Sequence, residues 1–275
     1  MKMRATLATL LACLALLASS MCRKKNISSL IISPIQPGPY TLFADTNRIN
    51  EAFGGYYIAM PSPSDSTLEK FPLLIFLHGL GQRGNGKEDL KYLLFDGIGK
   101  VIKDQRMPSS FVVKDQKFSF IIVSPQYQTP PDEKEVMQLL DSIVARYPVR
   151  TNRIYISGLS LGGRIATLVA AKYPERFAAM VPIAGVATTP GMGERCKSIA
   201  EANLPVWELH NEDDPMADVN DARRFIDSVI SYFPAVLPRL TVFDKYGHDA
   251  WTTALDTSYR ENGMNIYEWM LQYYR

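Results

Sequence analysis

Short apolar runs alternate with segments of helical spacing along most of this 275-residue chain. The runs are rich in Ile, Val and Phe, and they predict strands at 56–60, 73–77, 118–123, 153–157, 177–183, 205–209 and 240–243. Helical spacing lies between and after them, near residues 88–104, 132–146, 161–172, 218–231 and 264–273. Continuous apolar strands are typical of parallel sheets that are buried on both faces. The pattern therefore predicts an α/β fold, with a mostly parallel central sheet and helices on both of its faces.

The composition is that of a folded globular protein, and it argues against several functions. Apolar residues make up 47% of the chain and charged residues 21%, which is too apolar for a disordered segment. Beyond residue 22 the acidic and basic residues balance, with 28 of each, so no strongly basic surface is expected to bind nucleic acid. Three cysteines cannot form a disulfide framework, and no Cys or His cluster has zinc-binding spacing. We therefore expect neither a nucleic-acid partner nor a metal site.

Residues 1–25 have the pattern of an export signal. A short basic start precedes an apolar stretch over residues 5–18, and small residues follow it. The stretch is shorter than the roughly 20 apolar residues that a membrane span needs. Cys22 follows at the position of the lipidated cysteine of bacterial lipoproteins, although the three residues before it depart from the usual lipobox. We predict a signal peptide over 1–25 and a protein exported to the periplasm, the cell envelope or the medium. A lipid anchor at Cys22 is the favoured alternative to simple cleavage. Residues 26–275 are predicted to form one domain.

The sequence GLSLG at residues 158–162 lies between a predicted strand and a predicted helix. In that context a G-x-S-x-G pattern is typical of a nucleophile elbow, a strained turn that exposes its serine above the end of a sheet. Glycines suit the positions on either side, because a β-carbon there would collide with the neighbouring strand or helix. The alternative is an ordinary glycine-rich turn in which Ser160 caps the helix. We predict that Ser160 is a nucleophile.

A serine nucleophile needs a base, and the chain has only three histidines. His78 lies upstream of Ser160, and His210 precedes the acidic residues next to it. Only His248, after the last predicted strand, satisfies the order Ser…Asp…His that is typical of enzymes built on such an elbow. The acid that orients the base is expected after the strand at 205–209, where the candidates are Glu212, Asp213 and Asp214. Spacing alone does not separate Asp213 from Asp214.

These motifs together resemble the α/β-hydrolases, and more narrowly the bacterial esterases and "predicted peptidases" related to polyhydroxybutyrate depolymerases and to feruloyl and acetylxylan esterases. The resemblance covers about residues 53–273. It is carried by FLHGLGQRG at 76–84, SPQ at 124–126, RIYISGLSLGG at 153–163, YPERFAA at 173–179, PVWELH at 205–210 and GHDAW at 247–251. The resemblance implies an α/β-hydrolase fold with only a short cap. The motifs are specific for the fold and for the subgroup, but they do not identify a substrate.

The resemblance also implies roles for particular residues. In these relatives the triad acid lies four residues after the histidine that ends the strand, which is Asp214 in this chain. Asn211 stands where most relatives have glycine, and asparagine tolerates the left-handed backbone of a glycine turn. The relatives' oxyanion hole corresponds to the backbone N–H groups of Leu80 and Leu161. The implied catalytic triad is Ser160, Asp214 and His248.

We therefore expect a serine carboxylic-ester hydrolase that works through an acyl-enzyme on small or carbohydrate-linked acyl esters, without a cofactor or a metal. One alternative is a serine peptidase of the same fold, although the chain lacks the repeats of a peptide-gating propeller. Another is a catalytically inactive envelope protein that binds a glycan or lipid. A haloalkane-type hydrolase commonly uses a carboxylate nucleophile, which does not fit Ser160. The longest insertion, 184–203, is short for a lid and predicts an open site.

Overall fold

The computed structural model describes residues 39–61, 70–188 and 190–275. The predicted leader and Cys22 lie outside the described residues. The strands are β1 (Tyr40–Asp45), β2 (Phe53–Pro61), β3 (Phe71–Leu77), β4 (Phe111–Val113), β5 (Gln116–Phe118), β6 (Ile121–Tyr127), β7 (Val149–Leu159), β8 (Ala179–Ile183), β9 (Trp207–Asp213) and β10 (Arg239–Tyr246). The helices are α1 (Gly97–Lys103), α2 (Glu133–Arg146), α3 (Leu161–Lys172), α4 (Met192–Glu201), α5 (Val219–Ile230), α6 (Trp251–Ala254) and α7 (Ile266–Leu271), and 3-10 segments occupy Leu80–Gln82, Glu88–Leu94 and Pro174–Arg176.

The central sheet has eight strands in the order β1-β2-β6-β3-β7-β8-β9-β10, and β4 pairs with β5 in a separate hairpin. β1 and β2 run antiparallel to their neighbours, whereas the six strands from β6 to β10 in that order are parallel to one another. Parallel neighbours require a crossover connection, and most of the helices lie in these crossovers. The predicted mostly parallel sheet is confirmed.

Helices cover both faces of the sheet, as predicted. Alternate residues of β3 point to opposite faces: Leu74 and Phe76 pack with α1, α6 and α7, whereas Leu73 and Ile75 pack with α2, α3, α4 and α5. A strand that is buried on both sides must be apolar at every position, which is why β3 has no polar alternation. The carboxyl ends of the parallel strands meet at one edge of this two-sided core.

The segment 184–203 differs most from its predicted form. The sequence predicts an insertion there, but its second half is α4, whose Cys196, Ile199 and Ala200 are buried in the core. Polar side chains occupy most other positions of α4 and obscure its apolar side in the sequence. α4 is therefore part of the layer that covers the sheet.

Two predicted boundaries also shift. The predicted strand at 118–123 is divided, because β5 ends at Phe118 and β6 begins at Ile121. The helical stretch at 88–104 is interrupted at Asp96, whose side chain accepts a hydrogen bond from the backbone N–H of Gly97 and caps α1. Local capping and hairpin geometry cause both differences, and neither is visible in the apolar spacing.

Asp45 is a buried carboxylate at the end of β1, with only 2% of its side chain exposed. It accepts hydrogen bonds from the Arg146 guanidinium at 2.5 Å, the Tyr56 hydroxyl at 2.9 Å and the Asn47 backbone N–H at 2.9 Å. Burial alone would raise the pKa of Asp45, but these hydrogen bonds lower it below its usual value. A carboxylate whose pKa is lower in the folded state than in the unfolded state stabilises the fold at pH values above its unfolded-state pKa. This contribution is lost as the pH falls through the folded-state pKa.

We expect Asp45→Asn to lower the free energy of unfolding near neutral pH by about 2 kcal/mol, because the charge that Arg146 and Tyr56 bind is removed. The variant should also lose less stability than the wild type as the pH falls below about 4. Urea denaturation at about pH 7 and about pH 3 measures both effects. Asp115→Asn, at an exposed hairpin position, is the matched control. If the free energy of unfolding fell by the same amount between the two pH values in Asp45→Asn and in the wild type, the expectation would be contradicted.

Candidate active site

Ser160 lies in a sharp turn between β7 and α3. Its φ is 54° and its ψ −120°, a conformation that residues other than glycine rarely adopt. The Ser160 backbone N–H donates to the carbonyl of Ile183 on β8 at 2.8 Å, which holds the strained turn in place. The Ser160 side chain makes no capping hydrogen bond to α3. The turn therefore has the conformation of a nucleophile elbow rather than of an ordinary N-cap.

Two glycines of the elbow are required by close backbone contacts. A β-carbon on Gly162 would lie 2.0 Å from the carbonyl oxygen of Leu77, at the end of β3. A β-carbon on Gly158 would lie 2.5 Å from the carbonyl group of Gly162. Both obstacles are backbone atoms, so no side-chain movement relieves the overlap. The elbow can form only with glycine at these positions.

We expect Gly162→Ala to lower the free energy of unfolding by about 3 kcal/mol, because α3 must move away from β3 to accommodate the methyl group. Thermal and chemical denaturation measure this loss. Gly81→Ala is the matched control, since a β-carbon on Gly81 has no neighbouring atom within 4 Å. Equal stabilities for the two variants would show that the contact between Gly162 and Leu77 is not restrictive.

His248, in the loop between β10 and α6, lies between Ser160 and Asp214. Its Nε2 atom is 2.7 Å from Ser160 Oγ, and its Nδ1 atom is 2.7 Å from Asp214 Oδ2. The Asp214 side chain is fully buried, and His248 is 13% exposed. Asp213, the last residue of β9, is exposed and contributes its backbone carbonyl as the acceptor for the Gly247 N–H. Of the two aspartates considered from the sequence, Asp214 is the one in contact with His248.

The Asp214 carboxylate is held by backbone groups as well as by His248. Its Oδ1 atom accepts hydrogen bonds from the backbone N–H groups of Met216 at 2.8 Å and Ala217 at 3.1 Å. Burial alone would raise the pKa of Asp214, but the hydrogen bond from His248 and the two backbone N–H groups lower it below its usual value. A carboxylate in this environment stays ionised at neutral pH and favours a proton on Nδ1 of His248.

Leu80 and Leu161 are the first residues of two helical segments beside Ser160. Leu161 is the first residue of α3, and Leu80 is the first residue of a 3-10 turn. Backbone N–H groups at the start of a helix have no intrahelical acceptor. Both residues line one cavity of about 380 Å³ together with Ser160 and His248. Two such N–H groups can stabilise an oxyanion that forms near Ser160.

His78 is a buried structural residue of the loop that carries Leu80. Its Nδ1 atom donates to the Gly79 carbonyl at 2.7 Å, and its Nε2 atom accepts from the Tyr127 backbone N–H at 3.2 Å. The His78 ring also stacks on the Tyr127 ring, with 3.7 Å between the ring centres. Burial lowers the pKa of His78 to about 4, so the ring is neutral at physiological pH. His78 therefore positions the loop and makes no contact with His248 or Asp214.

Two side chains make contacts that sequence reasoning missed and that support the His248 loop. Asn211 Nδ2 donates to the Gly247 carbonyl at 2.7 Å. Trp251 packs edge-on against the His248 ring, and its Nε1–H donates to Asp96 at 2.7 Å. Asn211 lies in β9 and does not have a positive φ, so the left-handed turn expected at this position is wrong. The side chain of Asn211 is needed for a hydrogen bond across to the next loop, not for an unusual backbone conformation.

The cavity has polar and apolar walls. Leu80 and Met216 are exposed and contribute apolar surface, whereas Arg164, Asp218 and Asp221 contribute polar groups. Within the segment 184–203, Ala184, Gly185, Val186 and Thr188 line the cavity. α4, from the same segment, is a core helix and does not line it. A substrate can therefore contact both kinds of surface beside Ser160.

Neither a membrane span nor a metal cluster is found in the part of the chain that the structure describes. No helix there is long and apolar enough to cross a membrane. No group of three or more His, Cys, Asp or Glu side chains there is placed to hold a metal ion. Cys196 is a buried free thiol, and burial raises its pKa, which disfavours the reactive thiolate.

Two curated proteins are similar to part of this chain. The bifunctional acetylxylan esterase/xylanase XynS20E of Neocallimastix patriciarum is 24% identical over 59% of this chain and 22% of its own length. Poly(3-hydroxyalkanoate) depolymerase C of Paucimonas lemoignei is 26% identical over 42% of this chain and 28% of its own length. The chain thus spans less than a third of either relative. The resemblance to acetylxylan esterases and polyhydroxyalkanoate depolymerases is confirmed.

A solved structure and a family model extend the comparison. The structure of a thermostable esterase matches with a TM-score of 0.60 at 20% identity, covering 86% of this chain and 64% of the other, which shows a shared fold. The family model described as phospholipase/carboxylesterase matches residues 100–259, more than half of the chain. This match includes the elbow and both loops that carry Asp214 and His248. The chain therefore belongs to the phospholipase/carboxylesterase family, and its fold is that of an α/β-hydrolase.

Proposed function

We propose that this protein hydrolyses carboxylic esters with Ser160 as the nucleophile, His248 as the general base and Asp214 as the acid that orients the base. The observation that carries the proposal is the unbroken pair of 2.7 Å contacts from Ser160 Oγ through the His248 ring to Asp214 Oδ2. The strained backbone of Ser160 supports it, because strain of this kind is common at catalytic turns.

The proposed reaction is acyl transfer in two stages. His248 Nε2 accepts the Ser160 hydroxyl proton while Oγ attacks the ester carbonyl carbon, and the backbone N–H groups of Leu80 and Leu161 donate to the oxyanion. The C–O bond to the alcohol then breaks, and His248 returns the proton to the leaving oxygen. Water attacks the acyl-enzyme with the same base, which releases the acid and restores Ser160. Asp214 stabilises the charged imidazole in both stages.

Small or carbohydrate-linked acyl esters are the proposed substrates. A cavity of about 380 Å³ has room for a short acyl group beside Ser160. Arg164, Asp218 and Asp221 offer hydrogen-bonding groups to a hydroxylated alcohol portion, while Leu80 and Met216 offer apolar contact. The names of the two similar proteins, a bifunctional acetylxylan esterase/xylanase and a poly(3-hydroxyalkanoate) depolymerase, support this proposal.

Labelling with a fluorophosphonate, followed by peptide mapping, tests the nucleophile. We expect the modified residue to be Ser160. A chromogenic ester and an anilide that share one acyl group then test the bond type, and we expect faster turnover of the ester. Faster turnover of the anilide would favour the peptidase alternative. A folded protein that is not labelled and turns over neither compound would favour the binding protein that lacks catalysis.

We also propose that residues 1–25 direct export and that residues 26–275 form one hydrolase domain. The basic, apolar and small-residue segments of the leader support the first part. Lipidation of Cys22 is proposed as the alternative to simple cleavage. The mass of the mature N-terminal peptide distinguishes the two, because a lipid anchor adds acyl chains to Cys22. An intact, unprocessed leader would contradict both.

A further inference from the structure

A buried glutamate and a buried histidine lie next to Asp214, and the proposed reaction uses neither. Glu208 and His210 lie two residues apart on β9, so their side chains point to the same face. Their side chains are 0% and 1% exposed. Burying two ionisable side chains is costly unless each has a partner. Their contacts therefore indicate what the two residues do.

The His210 ring connects Glu208 to Asp214. Its Nδ1 atom lies 2.9 Å from Glu208 Oε1. Its Nε2 atom lies 3.0 Å from the Ala217 carbonyl oxygen and 3.2 Å from Asp214 Oδ2. A carbonyl oxygen can only accept a hydrogen bond, so Nε2 carries a proton. That proton is donated to the Ala217 carbonyl, and Nε2 also lies within ion-pair distance of the carboxylate oxygen that faces His248.

The Nε2–H donor is present in both charge states that the pair can adopt. Burial raises the pKa of Glu208 to about 7. Burial opposes a charge on His210, but the hydrogen bond to Glu208 and the nearby Asp214 raise its pKa above the usual value. The 2.9 Å contact between Nδ1 and Glu208 Oε1 also needs one proton. With Nε2 protonated, the pair is either an imidazolium beside a carboxylate or a neutral imidazole beside a carboxylic acid. Nε2 is protonated and the pair has no net charge in both cases.

We propose that Glu208 and His210 form a positioning pair. In this pair His210 Nε2–H binds the Ala217 carbonyl and lies against Asp214 Oδ2, which holds Asp214 in place for His248, and Glu208 fixes the His210 ring. The proposal rests on the proposed function, since it assigns the pair to the acid of that triad. With His210 included, Asp214 Oδ1 has two backbone donors and Asp214 Oδ2 has two imidazole neighbours. The carboxylate cannot rotate without breaking contacts on both oxygens.

Loss of the His210 donor is expected to affect catalysis more than substrate binding. Without it, Asp214 has fewer restraints on its orientation and its Oδ2 atom binds a proton more readily. We expect kcat to fall about 10- to 100-fold, because the hydrogen bond to Ala217 and the polar contact with the Asp214 carboxylate are both lost, with KM changed little. The acid limb of the kcat/KM profile should move to higher pH, because a less satisfied Asp214 stabilises the charged form of the base more strongly.

Two substitutions of His210 separate the donor from the shape of the side chain. His210→Met keeps a similar length but has no N–H group, whereas His210→Gln places an amide N–H near the position of Nε2. We expect His210→Met to lower kcat and shift the acid limb, and His210→Gln to restore most of kcat. Glu208→Gln keeps a hydrogen bond to His210 Nδ1 without a charge, and we expect it to retain most of kcat.

His210→Met leaves Glu208 buried without its partner and could prevent folding. The double variant Glu208→Leu/His210→Met replaces both polar groups, and removing both partners of a buried pair is far less costly than removing one. We expect the double variant to fold and to show the same fall in kcat as loss of the donor. Wild-type kcat and an unshifted acid limb in a folded variant without the donor would overturn the proposal.

Fluorophosphonate labelling distinguishes this failure from failure of the proposed function. If the wild type is labelled at Ser160 and the folded double variant is labelled at the same rate, the triad is retained and only the role of His210 is wrong. If the folded wild type is not labelled, the proposed function itself is wrong. Slow labelling of the double variant and fast labelling of His210→Gln are the results expected from a positioning role.

Discussion

Ser160→Ala is expected to lower kcat for ester hydrolysis by about 10⁶-fold, since the side chain that forms the covalent bond is absent. The remaining cavity can still bind the ester, and the Leu80 and Leu161 N–H groups can still polarise its carbonyl. Residual turnover about 10³- to 10⁴-fold above the rate in water is therefore expected, and labelling by a fluorophosphonate should disappear. Initial rates with a chromogenic ester at high enzyme concentration measure the loss.

The control for this prediction is Ser198→Ala. Ser198 lies on α4, and its hydroxyl donates to the Ala171 carbonyl at 2.7 Å, away from the cavity that Ser160 lines. Wild-type turnover is expected from this variant, with at most a small loss of stability. Both variants should be folded, as judged by circular dichroism and thermal unfolding. Ester hydrolysis at the wild-type rate by folded Ser160→Ala would contradict the assignment of the nucleophile.

Asp214→Asn is expected to lower kcat by about 10⁴-fold with little change in fold. An asparagine at this position can turn an N–H group toward His248 Nδ1. Nδ1 would then accept a hydrogen bond, Nε2 would carry the proton, and the ring could no longer remove the proton of Ser160. A pH profile of kcat/KM for the variant measures the effect across the full range in which the base titrates.

Asp213→Asn provides a matched control one residue away. Asp213 is exposed, and its backbone carbonyl rather than its side chain contacts the His248 loop. Its substitution should leave kcat and KM at wild-type values. If Asp213→Asn reduced kcat more than Asp214→Asn, the two aspartates would have the opposite roles in solution.

The elbow and the histidine that contacts Ser160 were predictable, because the first has a strong local pattern and the second is one of few candidates. Ser160 lies between two glycines, a strand and a helix, and steric limits permit few other arrangements of such residues. His248 could be found by elimination, since only three histidines occur in the chain. The alternation of apolar strands and helices was enough for the sheet and for its two covered faces.

The acid and its surroundings could not be derived from spacing, because the relevant contacts join separate loops. Asp213 and Asp214 are adjacent, and only the turn after β9 decides which of them is buried. Glu208 and His210 are polar residues in an otherwise apolar strand, which does not by itself indicate a functional pair. Asn211 was assigned an unusual backbone, whereas its side chain bonds to Gly247. These features depend on tertiary packing rather than on local pattern.

The proposed triad joins residues that are far apart along the chain. His248 is 88 residues from Ser160 and 34 residues from Asp214, and the three residues follow β7, β9 and β10. Bringing residues so far apart in sequence into contact has a loop-closure entropy cost that local structure does not offset. These contacts therefore form only when the parallel strands have assembled. Catalytic activity thus reports completion of folding, since a partly folded chain with native helices but an incomplete sheet has no assembled site.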